Sequence, residues 1–146
     1  MKPLVTIFEA IDEAGIDYLS EFARVKLAYG VNRNKCLELA SKSDAIIVKS
    51  VVQVDKELID SSPILKVIGR AGTGVDNIDV NEAKKQNIPV LTVPTGNSIS
   101  AAEFTILQIL SLCRRQAEVF NATSNNDFRR HLYEGRELQS MRVGLV

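Results

Sequence analysis

The sequence alternates short apolar runs with amphipathic stretches, and this alternation constrains the fold more than any other feature. The runs with the length and composition of strands are Leu4–Phe8, Val25–Tyr29, Ala45–Val48, Val67–Ile68 and Pro89–Val93. Between them apolar residues recur at helical spacing, as they do from Asp12 to Phe22. Strands joined by right-handed helical crossovers form a doubly wound parallel sheet of flavodoxin type. The sequence therefore predicts an α/β fold with five parallel strands, in which the apolar run Ala45–Val48 is buried on both faces.

Two capping boxes indicate where helices begin in the second half of the chain. The pair Asp79 and Glu82 opens a short helix, and the pair Ser100 and Glu103 opens one that extends to about residue 118. Apolar residues lie nearly all round the second helix, so we expect it to be buried on most faces. A polar segment follows, and the run Met141–Val146 predicts a new buried strand, as in an interrupted domain.

Composition excludes several classes of function. The formal net charge is zero, which gives no case for nucleic acid or an anionic membrane as a partner. Cys36 and Cys113 lie in helical patterns without metal-ligand spacing, so we expect reduced core residues and no metal. The first apolar run is too short for a signal peptide, and no run approaches the length of a membrane span. These features predict a cytoplasmic protein.

The turn Gly72–Gly74 directly follows a predicted buried strand, and its backbone N–H groups can face an anion. Glycine lacks the Cβ that would block positive φ values and close approach of a ligand. An ordinary glycine-rich turn between a strand and a helix is an equally good interpretation. The dinucleotide fingerprint does not fit, because the glycine spacing is reversed and the turn follows a fourth strand. A carboxylate is the better candidate ligand.

Two other strand ends, Lys49-Ser50 and Pro94–Asn97, carry small or polar residues and could line the same crevice. Lys49 could add positive charge there, although an ordinary strand-end lysine is the simpler interpretation. The single histidine, His131, lies in a polar run and is expected to be a solvated surface residue. No catalytic triad or metal-ligand set can be assembled, so this chain is not expected to contain a full active site.

Two long motifs, Gly69–Asp79 and Pro94–Thr105, resemble the NAD-dependent D-2-hydroxyacid dehydrogenases, most closely the D-3-phosphoglycerate dehydrogenases of serine biosynthesis. The resemblance resumes at Phe128–Arg130 and at Gly135–Leu138. It implies the N-terminal part of an oxidoreductase that transfers a hydride between NAD and a D-2-hydroxy acid. An alternative is a non-catalytic flavodoxin-like module that binds a small acid or dimerises. A glycine-rich loop encoded after residue 146 would favour the interpretation as an enzyme. A natural stop codon there would favour the non-catalytic module.

The resemblance implies two domains. Residues 1–96 would be the substrate-binding domain, and residues 97–146 the start of a Rossmann nucleotide-binding domain, truncated before its glycine-rich loop. The hinge helix would begin at Ala101 and form a homodimer through the region 101–118. The family's catalytic arginine, glutamate and histidine would lie further on. We therefore expect this chain alone to be inactive and not to bind NAD tightly.

Individual roles follow from the same resemblance. The implied substrate-binding residues are Lys49, Ser50, Gly72, Thr73, Gly74, Asn97 and Arg130. The substrate carboxylate would bind the backbone of the glycine turn, while Thr73 and Thr105 would approach the nicotinamide. Lys49 stands where the family usually has arginine, and Val52 where it often has threonine. Lysine lacks the bidentate fork of arginine, which leaves room for a substrate other than 3-phosphoglycerate.

Overall fold

The computed structural model describes residues 2–144. The chain divides into two compact units, Met1–Gly96 and Asn97–Val146, named here the first unit and the second unit. The strands are β1 Leu4–Ile7, β2 Arg24–Leu27, β3 Ala45–Val48, β4 Val67–Arg70 and β5 Val90–Leu91. The helices are α1 Glu13–Phe22, α2 Arg33–Ala40, α3 Lys56–Asp60, α4 Val80–Lys85, α5 Ser98–Cys113 and α6 Gln116–Ser124, with a short 3-10 helix at Arg130–Leu132.

The five strands of the first unit form one sheet in the order β2-β1-β3-β4-β5, and every neighbouring pair is parallel. This order is the flavodoxin-like one, so the predicted five-stranded parallel sheet is confirmed. Because β1 and β3 are neighbours in space but not in sequence, the topological switch point lies beyond their carboxyl ends. Sheets of this kind bind their ligands there.

Short polar side chains begin the helices of the first unit by accepting hydrogen bonds from the first turn. The capping residues are Asp12, Asn32, Asp55 and Asp79. The capping box at Asp79 forms only in part: its carboxylate accepts the N–H of Glu82 at 2.9 Å, but Glu82 pairs with Lys85 and Lys56 instead of returning to the cap.

The main core covers one face of the sheet, where Ile46, Val48 and Ile68 are fully buried against α2, α3 and α4. The opposite face carries a smaller cluster around Ile7, and the helical residues in it come from α1 and its flanks. Ile47 points to this second face and is only half-buried. The predicted burial of β3 on both faces is therefore wrong for the described chain, because α1 alone packs on that side.

The long helix of the second unit differs from its prediction. α5 begins at Ser98, so Ser100 and Glu103 lie inside the helix and do not cap it. The helix ends at Cys113, because Arg115 adopts a left-handed conformation with φ of 51° and α6 starts after it. A left-handed residue cannot continue the α-helical hydrogen-bond ladder, so the single helix predicted to reach residue 118 is wrong.

The expected burial of this helix is also wrong for the described chain. Phe104 and Leu112 are 60% and 79% exposed, and no residue of α5 is buried. Residues 141–144 have no regular secondary structure. The rest of the strand predicted at Met141–Val146 lies outside the described residues. The second unit therefore presents apolar side chains that its own described elements do not cover.

Candidate anion-binding site

The three strand ends that were predicted to line one crevice are neighbours at the carboxyl ends of the sheet strands. Val48 of β3 pairs with Arg70 of β4, and the N–H of Ala71 donates to the carbonyl of Val48 at 2.9 Å. The N–H of Val93, after β5, donates to the carbonyl of Gly72 at 2.9 Å. We define the carboxyl edge as the loops after β1, β3, β4 and β5, namely residues 8–10, 49–53, 71–75 and 92–94.

Backbone and side-chain hydrogen bonds fix the glycine turn from within. Gly72 has a φ of +157°, and its N–H donates to the carbonyl of Arg70 at 2.8 Å. The Thr73 hydroxyl donates to the carbonyls of Val93 at 3.1 Å and Pro94 at 3.4 Å. The Gly72 amide, predicted to face an anion, is thus used inside the turn. The role of the Thr73 and Gly74 backbone in binding a carboxylate stays a prediction.

Arg70 is a candidate functional residue that sequence analysis missed. A Cβ placed on Gly72 would lie only 1.6 Å from Nη1 of Arg70, so glycine makes room for the guanidinium against the turn. Nε of Arg70 is buried without a hydrogen-bond partner, and no described residue forms an ion pair with this side chain. A guanidinium carries a permanent positive charge and offers only donors. An arginine inside a short apolar strand was the signal that could have revealed it.

Lys49 and Ser50 lie at the carboxyl edge as predicted, but their backbone is already bound to a carboxylate. Glu9, after β1, accepts the N–H groups of four consecutive residues. These are Lys49 at 2.8 Å, Ser50 at 3.2 Å, Val51 at 3.1 Å and Val52 at 3.1 Å. Only the exposed side chains of Lys49 and Ser50 therefore face outward, and neither has a polar partner among the described residues.

The charge of Glu9 is favoured by this arrangement. Its partial burial would by itself raise the pKa of the carboxyl, but the four backbone N–H groups together lower the pKa below its ordinary value. Glu9 therefore remains ionised at neutral pH and places a fixed negative charge at the switch point.

Further contacts hold the loop after β3 against the loop after β4. The side-chain amide of Asn77 donates to the carbonyl of Val52 at 2.7 Å, and the N–H of Val54 donates to the carbonyl of Asn77 at 2.8 Å. On the other side, Nη1 of Arg33 donates to the carbonyl of Gln53 at 2.8 Å. The two loops that carry the predicted anion ligands are thus joined at several points, which limits their independent movement.

Three predicted site residues, Asn97, Thr105 and Arg130, belong to the second unit. Asn97 stands at the start of α5. The hydroxyl of Thr105 donates to the carbonyl of Ala101 at 2.7 Å and is bound to its own helix. Arg130 is exposed and begins the 3-10 helix. Their contributions to a substrate or nicotinamide site remain predictions.

Arg130 also lines a hollow of about 780 Å³ in the second unit, together with Arg114. Neither arginine has an acidic partner in the described part of the chain. The nearby Asp127 is neutralised by Arg129, at 2.8 Å, and accepts a hydrogen bond from the Tyr133 hydroxyl at 2.6 Å. Arg129 accordingly holds the pKa of Asp127 far below its ordinary value. The lining also contains Glu134, so two arginines and two carboxylates face the hollow and it carries no surplus of positive charge.

Other kinds of site are not found in residues 2–144. No three His, Cys, Asp or Glu side chains come together as a metal-binding group there. His131 is exposed, as predicted. None of the helices in this range combines the length and apolarity needed to span a membrane.

Comparison with known proteins gives a consistent result. Residues 5–140 match the family described as D-isomer specific 2-hydroxyacid dehydrogenase, catalytic domain. D-3-phosphoglycerate dehydrogenase of Archaeoglobus fulgidus is 37% identical over 147 aligned positions, which cover 100% of this chain and 28% of that protein. The enzyme of the same name from Synechocystis is 34% identical and is matched over 97% of this chain and 26% of its own length.

A solved structure of a related enzyme has a similar fold. The crystal structure of D-lactate dehydrogenase from Aquifex aeolicus, complexed with NAD and lactic acid, aligns with a TM-score of 0.79 at 26% identity. The alignment covers 92% of this chain and 41% of that one. The chain thus spans about a quarter of the length of the curated relatives named above.

Proposed function

This chain belongs to the D-isomer specific 2-hydroxyacid dehydrogenase family, and we propose that it forms the acid-binding half of such an enzyme's active site. In the complete protein, the C2 hydrogen of a D-2-hydroxy acid would pass as a hydride to NAD. The hydroxyl proton would pass to a base outside this chain. NAD supplies the nicotinamide that accepts the hydride, and the residues of this chain bind and orient the acid.

The observation that carries the proposal is the unpaired guanidinium of Arg70 at the carboxyl edge. Arg70 lies against the glycine turn, its Nε is buried without a hydrogen-bond partner, and no acidic side chain of the described residues pairs with it. A half-buried cation without a partner is unfavourable unless a ligand supplies the opposite charge, whereas the exposed Lys49 after the neighbouring strand is solvated and only adds positive charge. A substrate carboxylate bound by the backbone of Thr73 and Gly74 would supply it.

We further propose a substrate with a second anionic group, as in 3-phosphoglycerate. The relatives named D-3-phosphoglycerate dehydrogenase support this choice. Lys49, Ser50 and Arg130 would bind that group, and Asn97 would contribute a polar contact to the acid. Lys49 offers a single charged ammonium group where arginine would offer two parallel N–H donors. We therefore expect this site to discriminate less strongly between phosphate and carboxylate.

Thr73 and Thr105 would stand near the nicotinamide, with residues 1–96 as the substrate-binding domain and residues 97–146 as the start of the nucleotide-binding domain. The apolar surface of α5 would form a homodimer, because exposed apolar side chains this numerous mark an interface. The cytoplasmic location stays a prediction from the sequence.

The test is a dehydrogenase assay of the complete protein encoded by the gene. We expect NAD reduction with D-3-phosphoglycerate or another D-2-hydroxy acid, and no rate above background for residues 1–146 alone. A gene that stops after codon 146, or a complete protein without NAD-dependent oxidation of any D-2-hydroxy acid, would contradict the proposal. Turnover by the 146-residue chain would contradict the division of the active site.

A further inference from the structure

Glu9 lies at the topological switch point, and the hydrogen-bond partners of its carboxylate are distant in the sequence. It follows β1, and its carboxylate accepts hydrogen bonds from residues more than forty positions away, at Val51 and Val52. Its two oxygens receive five hydrogen bonds from four successive amides. Successive N–H groups that converge in this way form a nest, which is an anion-binding arrangement of the backbone.

The occupied nest decides how the loop after β3 can bind a ligand. A negative group of the substrate cannot use the amides of residues 49–52 while Glu9 fills them. It must instead approach the side chains of Lys49 and Ser50, which project from the same loop. The loop is also held from the other side, where Asn77 binds the carbonyl of Val52 at 2.7 Å. Glu9 therefore binds the N–H groups of residues 49–52, while Asn77 binds the carbonyl of Val52.

We propose that Glu9 is a positioning residue of the carboxyl edge: by filling the nest of residues 49–52, it holds Lys49 and Ser50 so that their side chains bind the anionic group of the substrate. The identity of that substrate rests on the proposed function, whereas the filling of the nest does not. Glu9 itself contacts the loop backbone and takes no part in hydride or proton transfer.

Replacement of Glu9 should open the nest to small anions from solution. Glu9→Ala removes the carboxylate and leaves four amides that formate can bind in its place. Glu9→Gln keeps the shape but puts an NH2 group against N–H donors, so only one side-chain oxygen remains as an acceptor. Glu21→Ala is the matched control, because Glu21 is an exposed glutamate of α1 without a described side-chain contact.

The experiment is an NMR titration of the 146-residue chain and its three variants with D-3-phosphoglycerate, and separately with inorganic phosphate, both with and without formate. We expect Glu9→Ala to raise the Kd of the phosphate-bearing probe roughly tenfold, because a misplaced loop loses aligned contacts. Formate should restore both the Kd and the amide shifts of residues 49–52 in Glu9→Ala. It should restore neither in Glu9→Gln, and the control should behave like the unchanged chain.

Each outcome decides the inference. Amide shifts of residues 49–52 that do not respond to Glu9→Ala, or a Kd that formate leaves unrestored in a folded variant, would overturn it. If inorganic phosphate binds and D-3-phosphoglycerate does not, the proposed substrate is wrong. The effect of Glu9→Ala on the Kd of phosphate would then decide the role of Glu9. If neither probe shifts Lys49 or Ser50 in the unchanged chain, the carboxyl edge has no anion to position and the inference fails.

Discussion

The two units of this chain use apolar residues in opposite ways. In the first unit Ile46, Val54 and Ile68 are among many fully buried side chains beneath a closed layer of helices. In the second unit Ala122 is the only buried apolar residue among those the structure describes. Large side chains such as Phe104 and Phe120 are 60% and 71% exposed there. The sequences of both units are comparably apolar, so the difference lies in which elements are present to cover them.

This contrast explains why the binding features of the first unit are well defined. A packed sheet fixes the ends of its strands, and a fixed strand end can hold an anion-binding turn in a constant geometry. The second unit has helices and turns with local hydrogen bonds, but little core. Its predicted site residues Thr105 and Arg130 are both exposed and are not fixed by a packed core of that unit.

Separating the two units should reveal the difference between them most clearly. We expect residues 1–96 to fold cooperatively alone, because their core is internal. We expect residues 97–146 alone to remain unfolded or to associate, because they bury too little apolar surface. Urea unfolding followed by circular dichroism would measure both. A cooperative, monomeric transition of residues 97–146 would show that the second unit has a sufficient core of its own.

A matched pair of isoleucine truncations tests the same contrast within the intact chain. Ile68→Ala removes a side chain with no exposed surface and should lower the free energy of unfolding by about 2–5 kcal/mol. Ile106→Ala removes a side chain that is 58% exposed and should change the free energy of unfolding by no more than about 0.5 kcal/mol in the monomer. Equal effects on chemical denaturation would refute the distinction.

The exposed surface of α5 predicts self-association. Leu112→Glu places a charge where an apolar contact is expected and should weaken dimer formation by about 2 kcal/mol. Gln108→Glu, also on α5, adds the same charge at an already polar position and should weaken it less. Sedimentation velocity over a range of concentrations would compare the two variants. A chain that stays monomeric at every concentration would remove the basis for the proposed homodimer.

Replacing a single carboxylate in each unit should change the free energy of unfolding only slightly. Glu9→Gln should lower the free energy of unfolding by about 1 kcal/mol at neutral pH, because hydrogen bonds to a charged acceptor are lost. Since the folded state lowers the pKa of Glu9, the stabilisation is complete above the ordinary pKa and is lost as the pH falls through the lowered pKa. The difference in the free energy of unfolding between the unchanged chain and Glu9→Gln should therefore become smaller as the pH is lowered.

Glu118→Gln provides the comparison in the second unit. Arg115 lowers the pKa of Glu118, but this ion pair is exposed and is expected to contribute little. Unfolding curves at several pH values would separate the two positions. A larger pH-dependent loss for Glu118→Gln than for Glu9→Gln would contradict the account of both sites.

The sequence predicted those features that depend on neighbouring residues. The run Ala45–Val48 was identified with its correct ends because it is continuously apolar between polar flanks. The cap at Asp79 followed from local spacing. The break at Arg115 was missed, because arginine has no special preference for a left-handed backbone. Its conformation is set by the turn between two helices and not by its side chain.

The contacts that define the candidate site could not be predicted from the sequence alone. Glu9 and Val52 are 43 positions apart, and no local pattern indicates that a carboxylate after β1 meets amides after β3. The position of Lys49 beside the glycine turn followed from the parallel sheet. The Gly72 amide is used inside the turn, and Arg70 lies against that turn. Both features depend on packing that composition and spacing do not encode.

The proposed function requires that the carboxyl edge of the first unit binds the anionic groups of a D-2-hydroxy acid. The most direct measurement is an NMR titration of residues 1–96 with D-glycerate. We expect saturable shifts of the amides of Thr73 and Gly74 and of the side chain of Arg70, and weaker shifts after Arg70→Gln. A folded first unit whose glycine turn shows no shift at saturating D-glycerate would contradict it.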